Sequence, residues 1–190
     1  MNLDGILPFV RKLLEKTITD GSIAIDATLG NGHDTLFLAK LVGDNGHVYG
    51  FDVQELAVTN TKTRLEEHQL HDRATLFNCG HEQAAASIPE KWHGHISGAV
   101  FNLGYLPKGD KAIVTKPETT ISAIEQIFSM LHPGGIIVLV IYHGHEEGAV
   151  EKEALLKYVA DLDQQKAHVL QYQFINQANQ PPFIIAIEKR

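Results

Sequence analysis

Hydrophobic positions along this chain follow two periods that alternate from one segment to the next. Apolar side chains three or four positions apart indicate amphipathic helices, and short apolar runs bounded by Gly, Asn or Asp indicate strands. In the first helix Ile6, Val10 and Leu14 lie on one stripe. Helices are predicted over 5–18, 33–42, 54–69, 119–131 and 146–161, and strands over 22–28, 46–53, 73–78, 98–103, 135–143, 168–176 and 183–189.

The order of these elements predicts the fold class. Strands that alternate with helices form a mostly parallel sheet with helices on both faces. The run 135–143 is the most apolar strand, so we expect it inside the sheet, covered on both faces. Only a short turn joins the last two strands, and they should pair antiparallel because parallel neighbours need a long crossover. This layout is that of Rossmann-like class I S-adenosylmethionine (SAM)-dependent methyltransferases, so we predict that α/β fold, with seven strands, in one domain over residues 1–190.

A glycine-containing turn follows the first predicted strand. Asp26 ends the strand, and Gly30 and Gly32 lie in the turn that leads into the next helix. Glycine lets a ligand approach bare backbone at the N-terminus of a helix. Asp52 ends the second strand, twenty residues after Gly32, where a carboxylate can accept hydrogen bonds from both hydroxyls of a ribose. This spacing fits a dinucleotide or SAM.

Two features favour SAM over a dinucleotide. Thr35 stands where the dinucleotide fingerprint has its third glycine. The Asp26 carboxylate would suit the ammonium and sulfonium charges of SAM, and it would repel a pyrophosphate. The alternative is that Asp26 and Asn31 are only turn residues. We assign to the cofactor Asp26, Gly30, Asn31, Gly32, Asp34, Asp52, Gln54, His81 and Glu82, the last two with the alternative that they only cap a short helix.

The fourth and fifth predicted strands end in polar and aromatic residues. The fourth leads into Asn102 and Tyr105. Class I enzymes that methylate nitrogen often have an Asn/Asp-Pro-Pro-aromatic segment here, which holds the amine and stacks on a base. This chain offers similar chemistry without the paired prolines. The alternative is that this segment is a purely structural loop. The fifth leads into Tyr142, His143 and His145, which would face the same crevice beyond the carboxyl ends of the strands.

These residues divide into two roles. We assign Asn102, Tyr142 and His143 to catalysis, as groups that position the acceptor or take its proton. Tyr105 and His145 are assigned to substrate binding. We expect no metal, because the His-x-His-Glu spacing at 143–146 matches no zinc pattern and methyl transfer needs none.

Six segments occur in an order that resembles one known family: DATLGNGHDT, GFDVQ, NCGHE, NLGYLP, KGDK and YHGHEEG. They are similar to the motifs of small SAM-dependent methyltransferases once labelled rRNA methylases, the MnmM type, which includes tRNA wobble-uridine 5-aminomethyl methyltransferases. The resemblance runs from residue 5 to the terminal NQPPFIIAIEK. One departure is Lys108-Gly109, where the family pattern leads us to expect two glycines.

The resemblance implies a reaction and a partner. The reaction is N-methylation of the 5-aminomethyl group of uridine 34, with or without a 2-thio group, to 5-methylaminomethyluridine, and the partner is the tRNA anticodon stem-loop. An rRNA substrate is the alternative that the older family label suggests. Three rival functions are a small-molecule methyltransferase of the same fold, a noncatalytic SAM- or nucleotide-binding module and an NAD-dependent oxidoreductase.

Composition limits the remaining classes of protein. The 190 residues, of which 44% are hydrophobic and 21% charged, suffice for one globular domain. A single cysteine, Cys79, excludes an internal disulfide and every multi-cysteine metal site. No apolar run approaches the roughly 20 residues that span a bilayer, and the N-terminus lacks the pattern of a secretory signal. We therefore predict a cytoplasmic protein without a membrane partner.

Net charge constrains how an RNA could bind. The formal net charge of -7 argues against tight, nonspecific binding to a nucleic-acid backbone. A tRNA would need a local basic rim, and Lys108, Lys111 and Lys116 follow NLGYLP closely. We assign Lys108 and Lys111 to tRNA binding, with the alternative that they are ordinary solvated lysines.

Overall fold

A computed structural model describes residues 2–104, 115–144 and 146–190, with only the backbone given at residue 146. Its helices are α1 Ile6–Glu15, α2 His33–Leu41, α3 Glu55–Glu67, α4 Ala84–Ser87, α5 Pro117–Met130 and α6 Glu146–Ala160. Its strands are β1 Ile23–Asp26, β2 His47–Phe51, β3 Ala74–Phe77, β4 Ile96–Leu103, β5 Leu131–Ile141, β6 Ala167–Tyr172 and β7 Phe183–Lys189. Short 3-10 turns at His71–Arg73, His81–Gln83 and Glu90–Trp92 complete the regular elements of this part of the chain.

All seven strands join one sheet, in the order β3-β2-β1-β4-β5-β7-β6. β1 to β5 run parallel, and β7 pairs antiparallel with both β5 and β6. The strand order reverses beside β1, where β1 lies between β2 and β4, and ligands of such sheets bind beyond the carboxyl ends of the strands at this point. The predicted Rossmann-like α/β fold and its antiparallel terminal hairpin are confirmed.

Helices cover both faces of the sheet and bury two apolar layers. One layer joins β1, β4 and β5 to α5 and α6 through side chains such as Ile25, Phe101 and Ile127. The other joins the opposite face to α1, α2 and α3, with Leu14 and Leu38 fully buried. Burying a side chain of this size stabilises the fold by roughly 1.5–3 kcal/mol, so the two layers hold the sheet edge that carries the site in place.

β5 begins earlier than the pattern predicts. Pro133 and the paired glycines after it predict a stop between helix and strand, yet β5 starts at Leu131, directly after α5. The pairing of β4 with β5 shifts register between Ile96 and Gly98, opposite this stretch, and Gly134 has a φ of 84°. The early part of β5 is therefore irregular strand, and from Ile137 to Ile141 it is buried, as expected for an interior strand.

None of the helices in the described part of the chain combines the length and the apolar content needed to cross a bilayer.

Candidate functional site

A cleft of about 720 Å³ opens at the carboxyl ends of β1, β2 and β4. This volume lies in the usual range for a site that encloses a cofactor or drug-sized ligand. Nine of the residues predicted from the sequence line it: Gly30, Asn31, Asp34, Asp52, Gln54, His81, Glu82, Asn102 and Tyr142. The topology thus brings together the ends of strands that are far apart in the chain.

Asp52 fixes the shape of the cleft at the end of β2. Its Oδ2 accepts a hydrogen bond from the Gly30 backbone N–H at 3.0 Å, and its Oδ1 accepts one from the Gln54 N–H at 2.9 Å. A carboxylate has about four lone-pair sites, so the two oxygens keep capacity for further donors. Vicinal hydroxyls of a ribose are donors of this kind, and that Asp52 binds them remains a prediction.

The glycine turn between β1 and α2 depends on its glycines. Gly30 and Gly32 have φ values of 51° and 75°, which favour glycine. A Cβ at Gly32 would lie 2.8 Å from the Thr61 Cα on α3, so a side chain there would force the two helices apart. Arg64 donates from Nε to the Asn31 carbonyl oxygen at 2.6 Å. The turn is therefore held from α3, and its backbone stays open to a ligand.

Asp26 lies beneath this turn rather than in the lining of the cleft. Its side chain is fully buried, and its two oxygens accept hydrogen bonds from the Thr28 N–H at 3.1 Å and the Thr35 hydroxyl at 2.6 Å. Burial, and next the negative charge of Asp34, raises the pKa of Asp26 to about 7, against the two hydrogen bonds that lower it. Asp26 thus acts on the cleft through the turn that it supports.

Replacing Asp26 with asparagine should change how stability depends on pH. A carboxyl whose pKa is raised in the folded state binds its proton more tightly there, so it stabilises the fold fully below the ordinary pKa of 3.8 and loses that contribution as pH rises through about 7. Between about pH 5 and about pH 8 the wild-type protein should lose roughly 2–3 kcal/mol relative to Asp26→Asn. Urea unfolding of both proteins without ligand at the two pH values measures this difference.

An exposed carboxyl supplies the control for that measurement. The Asp72 side chain is 93% exposed, so Asp72→Asn should follow the wild-type pH dependence. A parallel pH dependence of the wild type and Asp26→Asn would show that the Asp26 carboxyl does not hold its proton in the way proposed.

His81 and Glu82 follow β3 and form another part of the cleft wall. His81 Nδ1 donates to the Ala27 carbonyl oxygen at 3.0 Å, and its ring lies edge-on to Phe101. Burial lowers the pKa of His81, so the ring is neutral, and its buried Nε2 has no partner among the described residues. Gln126 Nε2 donates to the Glu82 carbonyl oxygen at 2.7 Å. Both residues therefore shape the wall, and the Glu82 carboxylate lies close to Gly80, which also lines the cleft.

Asn102 lies at the end of β4, on the other side of the glycine turn. Its backbone N–H donates to the Thr28 Oγ1 at 2.7 Å, and its Nδ2 donates to the Asp34 Oδ2 at 3.2 Å. A carboxylate oxygen can only accept, so the amide nitrogen must face Asp34 and the amide oxygen must face away from it. Asn102 thus carries an acceptor oxygen in a polar cleft.

Tyr142 and His143 follow β5 but have different surroundings. Tyr142 lines the cleft and is 37% exposed, and burial followed by the charge of Asp34 raises its pKa, which keeps the phenol protonated. His143 is 9% exposed, donates from Nε2 to the Pro181 carbonyl oxygen at 3.1 Å and packs on Phe183. Of the two, Tyr142 belongs to the cleft lining formed by the described residues, and His143 does not.

The remaining predicted site residues are not among the described residues that line the cleft. Gly32 supports the turn from behind, as its contact with α3 requires. Tyr105, Lys108, Lys111 and His145 lie outside the described residues.

Sequence reasoning did not find a second group of residues at the cleft. Thr28, Thr115 and Thr119 line it. The buried carboxylate of Glu151 accepts hydrogen bonds from the Thr115 hydroxyl at 2.6 Å and from the Thr120 hydroxyl at 2.7 Å. These hydrogen bonds connect α6 to the N-terminal end of α5. No sequence motif surrounds these threonines, so the contact could not be predicted from the sequence.

The donor set of this site fits SAM. The carboxyl groups of Asp26 and Asp52 accept hydrogen bonds from the backbone of the glycine turn, which leaves fewer of its N–H groups for a pyrophosphate. The hydrogen bonds that Asp52 accepts come from backbone N–H groups, so its oxygens keep capacity for ribose hydroxyls. Within residues 2–104, 115–144 and 146–190, no group of three or more His, Cys, Asp or Glu side chains is arranged to hold a metal ion.

Comparisons with known proteins identify the family of this chain. Residues 48–188 match the model of the family described as "Putative rRNA methylase". The chain is 34% identical over 183 residues to the chloroplastic tRNA (mnm(5)s(2)U34)-methyltransferase of Arabidopsis thaliana. That match covers 92% of this chain and 66% of the plant protein, just under two thirds of its length.

Two solved structures are similar over their whole length. A protein from Clostridium thermocellum, described as a putative rRNA-methylase, is 43% identical, with a TM-score of 0.96 and 100% of both chains covered. A Streptococcus mutans protein solved in complex with S-adenosylhomocysteine (SAH) is 39% identical, with a TM-score of 0.89 and 99% of both chains covered.

Proposed function

This chain belongs to the family described as "Putative rRNA methylase", and on that premise we propose that it methylates the 5-aminomethyl nitrogen of uridine 34 in tRNA. The family and its structural relatives make it a SAM-dependent methyltransferase of the tRNA and rRNA type. The choice of the wobble uridine is supported by the plant relative, whose name states a U34 reaction. The choice of nitrogen as the acceptor is supported by the site.

The observation that carries the proposal is the orientation of Asn102. Its amide nitrogen is engaged by Asp34, which leaves Oδ1 as a hydrogen-bond acceptor in the cleft. Such an oxygen can accept a hydrogen bond from an N–H of a neutral amine. The lone pair of the amine then points away from Asn102. A hydroxyl or a carbon nucleophile would need a base to remove its proton, whereas an amine needs only to be neutral and correctly oriented.

SAM, when bound, supplies an electrophilic methyl group on a positively charged sulfur. The residues of the chain have to deliver the acceptor nitrogen without its extra proton, since an ammonium has no lone pair. A partly desolvated cleft disfavours the ammonium, and Asn102 Oδ1 accepts one N–H of the neutral amine. After transfer the surplus proton leaves with the product amine, so no strong base is required of the protein.

The rim of the cleft has the features that a nucleic-acid base requires. The Tyr142 ring is 37% exposed at the lining, and aromatic faces commonly grip single-stranded RNA bases. Lys116 also borders the cleft and carries a positive charge that an RNA phosphate can meet. Tyr105, Lys108, Lys111 and His145 complete the proposed substrate contacts as predictions from the sequence, and His143 is left out of the proposed catalytic set because it packs against Phe183.

The test uses an anticodon stem-loop RNA that carries 5-aminomethyluridine at position 34. Purified protein with SAM should convert this nucleoside to 5-methylaminomethyluridine, as detected by nucleoside mass spectrometry. In a strain that lacks the gene, tRNA should accumulate the 5-aminomethyl form. The protein is predicted to work in the cytoplasm, so the affected tRNAs should be cytoplasmic ones.

Two controls decide between this substrate and its rivals. The same stem-loop with unmodified uridine should stay unmethylated, because it lacks the acceptor amine. Methylation of that control, or an unaltered profile of wobble nucleosides in the deletion strain, would contradict the proposal. Methylation of rRNA alone in the same extracts would favour the older family label.

A further inference from the structure

Asp34 meets Asn102 rather than the backbone of the glycine turn. It lies in the first turn of α2, half-buried in the cleft lining, and its Oδ2 accepts the hydrogen bond from the Asn102 Nδ2 at 3.2 Å. The sequence analysis assigned Asp34 to the cofactor, together with residues of the glycine turn. The contact instead pairs its carboxylate with the Asn102 amide.

We propose that Asp34 is a positioning residue for methyl transfer, which holds the Asn102 amide with its oxygen toward the acceptor nitrogen. The identity of the acceptor in this inference rests on the proposed function. The contact between Asp34 and Asn102 does not depend on that function.

The oxygen and the NH₂ group of an asparagine amide differ in their hydrogen bonds, so the neighbouring groups determine which way the amide faces. If the Asn102 amide were reversed, its oxygen would face the Asp34 carboxylate, and two acceptors would repel each other. Its NH₂ would then face the acceptor nitrogen and donate to the lone pair that has to attack. A reversed amide therefore blocks the reaction, and the Asp34 carboxylate excludes it.

The backbone of Asn102 is fixed from the same segment of the chain. The Asn102 N–H donates to Thr28 Oγ1 at 2.7 Å. Thr28 and Asp34 stand on either side of the glycine turn, so one segment holds both the main chain and the side chain of Asn102. The segment that forms the cofactor site thereby also sets the direction of the acceptor.

The charge of Asp34 also reaches the neighbours of the acceptor. It is the second cause, after burial, of the raised pKa values of Tyr142 and Asp26. The charge of Asp34 therefore acts on the same part of the cleft as its hydrogen bond to Asn102.

A double-mutant cycle tests the role of Asp34 in turnover. Asp34→Ala should lower kcat by about thirtyfold or more, with SAH affinity unchanged within about threefold in calorimetry. Asp34→Asn keeps an acceptor oxygen and should recover part of the lost turnover. Because Asp34 acts through Asn102, adding Asp34→Ala to Asn102→Ala should cost no more than about a further twofold.

A matched variant removes a similar charge elsewhere. Glu55 is exposed in the first turn of α3, so Glu55→Ala removes a carboxylate from a helix N-terminus without touching Asn102, and kcat should stay at the wild-type value. Independent, multiplicative losses in the double variant would overturn the inference. So would a loss of SAH affinity of about tenfold or more in Asp34→Ala while Asn102→Ala retains it, since Asp34 would then be a cofactor residue.

Nuclear magnetic resonance tests the contact without a substrate. The side-chain NH₂ signals of Asn102 are identified by their loss in Asn102→Ala. In Asp34→Ala they should shift and exchange faster with solvent, and in Glu55→Ala they should not. An unchanged Asn102 signal in a folded Asp34→Ala protein would overturn the inference. If the wild type fails to methylate 5-aminomethyluridine, the proposed function is wrong. The Asn102 NH₂ signals and the SAH affinity still show in that case whether Asp34 contacts Asn102 or binds the cofactor.

Discussion

Asn102→Ala should lower kcat for the 5-aminomethyluridine stem-loop by about 10²–10³-fold, or roughly 3–4 kcal/mol of transition-state stabilisation. The variant removes the oxygen that orients the acceptor amine, and the apolar Leu103 that follows it on β4 cannot replace that oxygen. SAH affinity should stay within about threefold, because Asn102 meets the cofactor segment through its backbone N–H, which alanine retains. Single-turnover kinetics and calorimetry with SAH measure the two quantities separately.

An asparagine outside the cleft provides the matched control. Asn45 is exposed and also donates from Nδ2 to an aspartate, Asp20, at 3.2 Å. Asn45→Ala removes the same kind of contact, so turnover and SAH affinity should both remain at the wild-type level. If Asn102→Ala instead abolished SAH binding while the bound complex still turned over, the assignment of Asn102 to the acceptor would be wrong.

The fold could be predicted because its signals are local. Each strand and helix shows its own period, and the short connection before β7 dictates antiparallel pairing. The start of β5 could not be predicted, since Pro133 and the paired glycines are typical of a break. What turns this stretch into strand is the shifted pairing with β4 near Ile96, a contact that the local sequence does not encode.

The candidate site could be predicted in part. Strand ends and glycines indicate where a ligand binds, and this places Asp52 and Asn102 at the cleft. The partner of each side chain could not be predicted. Asp34 and Asn102 are 68 positions apart, and only the folded sheet brings the carboxylate to the amide. His143 lies next to Tyr142 in the sequence, yet it packs on Phe183 of β7 and donates to the Pro181 carbonyl oxygen, contacts that the local sequence does not encode.

These pairings give one segment two tasks. The turn from Thr28 to Asp34 donates its Gly30 N–H to the Asp52 carboxylate on the cofactor side, and it accepts hydrogen bonds from Asn102 on the acceptor side. A substitution on the cofactor side of the turn is therefore expected to affect the acceptor side only through residues that contact both sides. The same holds for a substitution on the acceptor side. Asp52 touches the turn at Gly30 but has no contact with Asn102 among the described hydrogen bonds, so it should separate cofactor binding from acceptor positioning.

Asp52→Ala should weaken SAH and SAM binding by about 10²–10³-fold. The variant removes the acceptors proposed for two ribose hydroxyls, and a hydrogen bond to a charged group contributes roughly 1.5–3 kcal/mol. It also releases the Gly30 N–H, which Asp52 Oδ2 holds at 3.0 Å, so the turn loses part of its support. Asp52→Asn keeps one carbonyl oxygen and should lose only about tenfold. Isothermal titration calorimetry with SAH measures both variants.

An aspartate on the surface separates this effect from a general loss of charge. Asp44 is exposed and pairs with Arg73 away from the cleft, so Asp44→Ala should bind SAH as the wild type does. At saturating SAM, Asp52→Ala should recover most of the wild-type kcat, because Asn102 and Asp34 are intact and only occupancy was lost. Unchanged SAH affinity in Asp52→Ala would show that the ligand does not reach the end of β2. A kcat that stayed low at saturation would show that the glycine turn transmits the damage to the acceptor side.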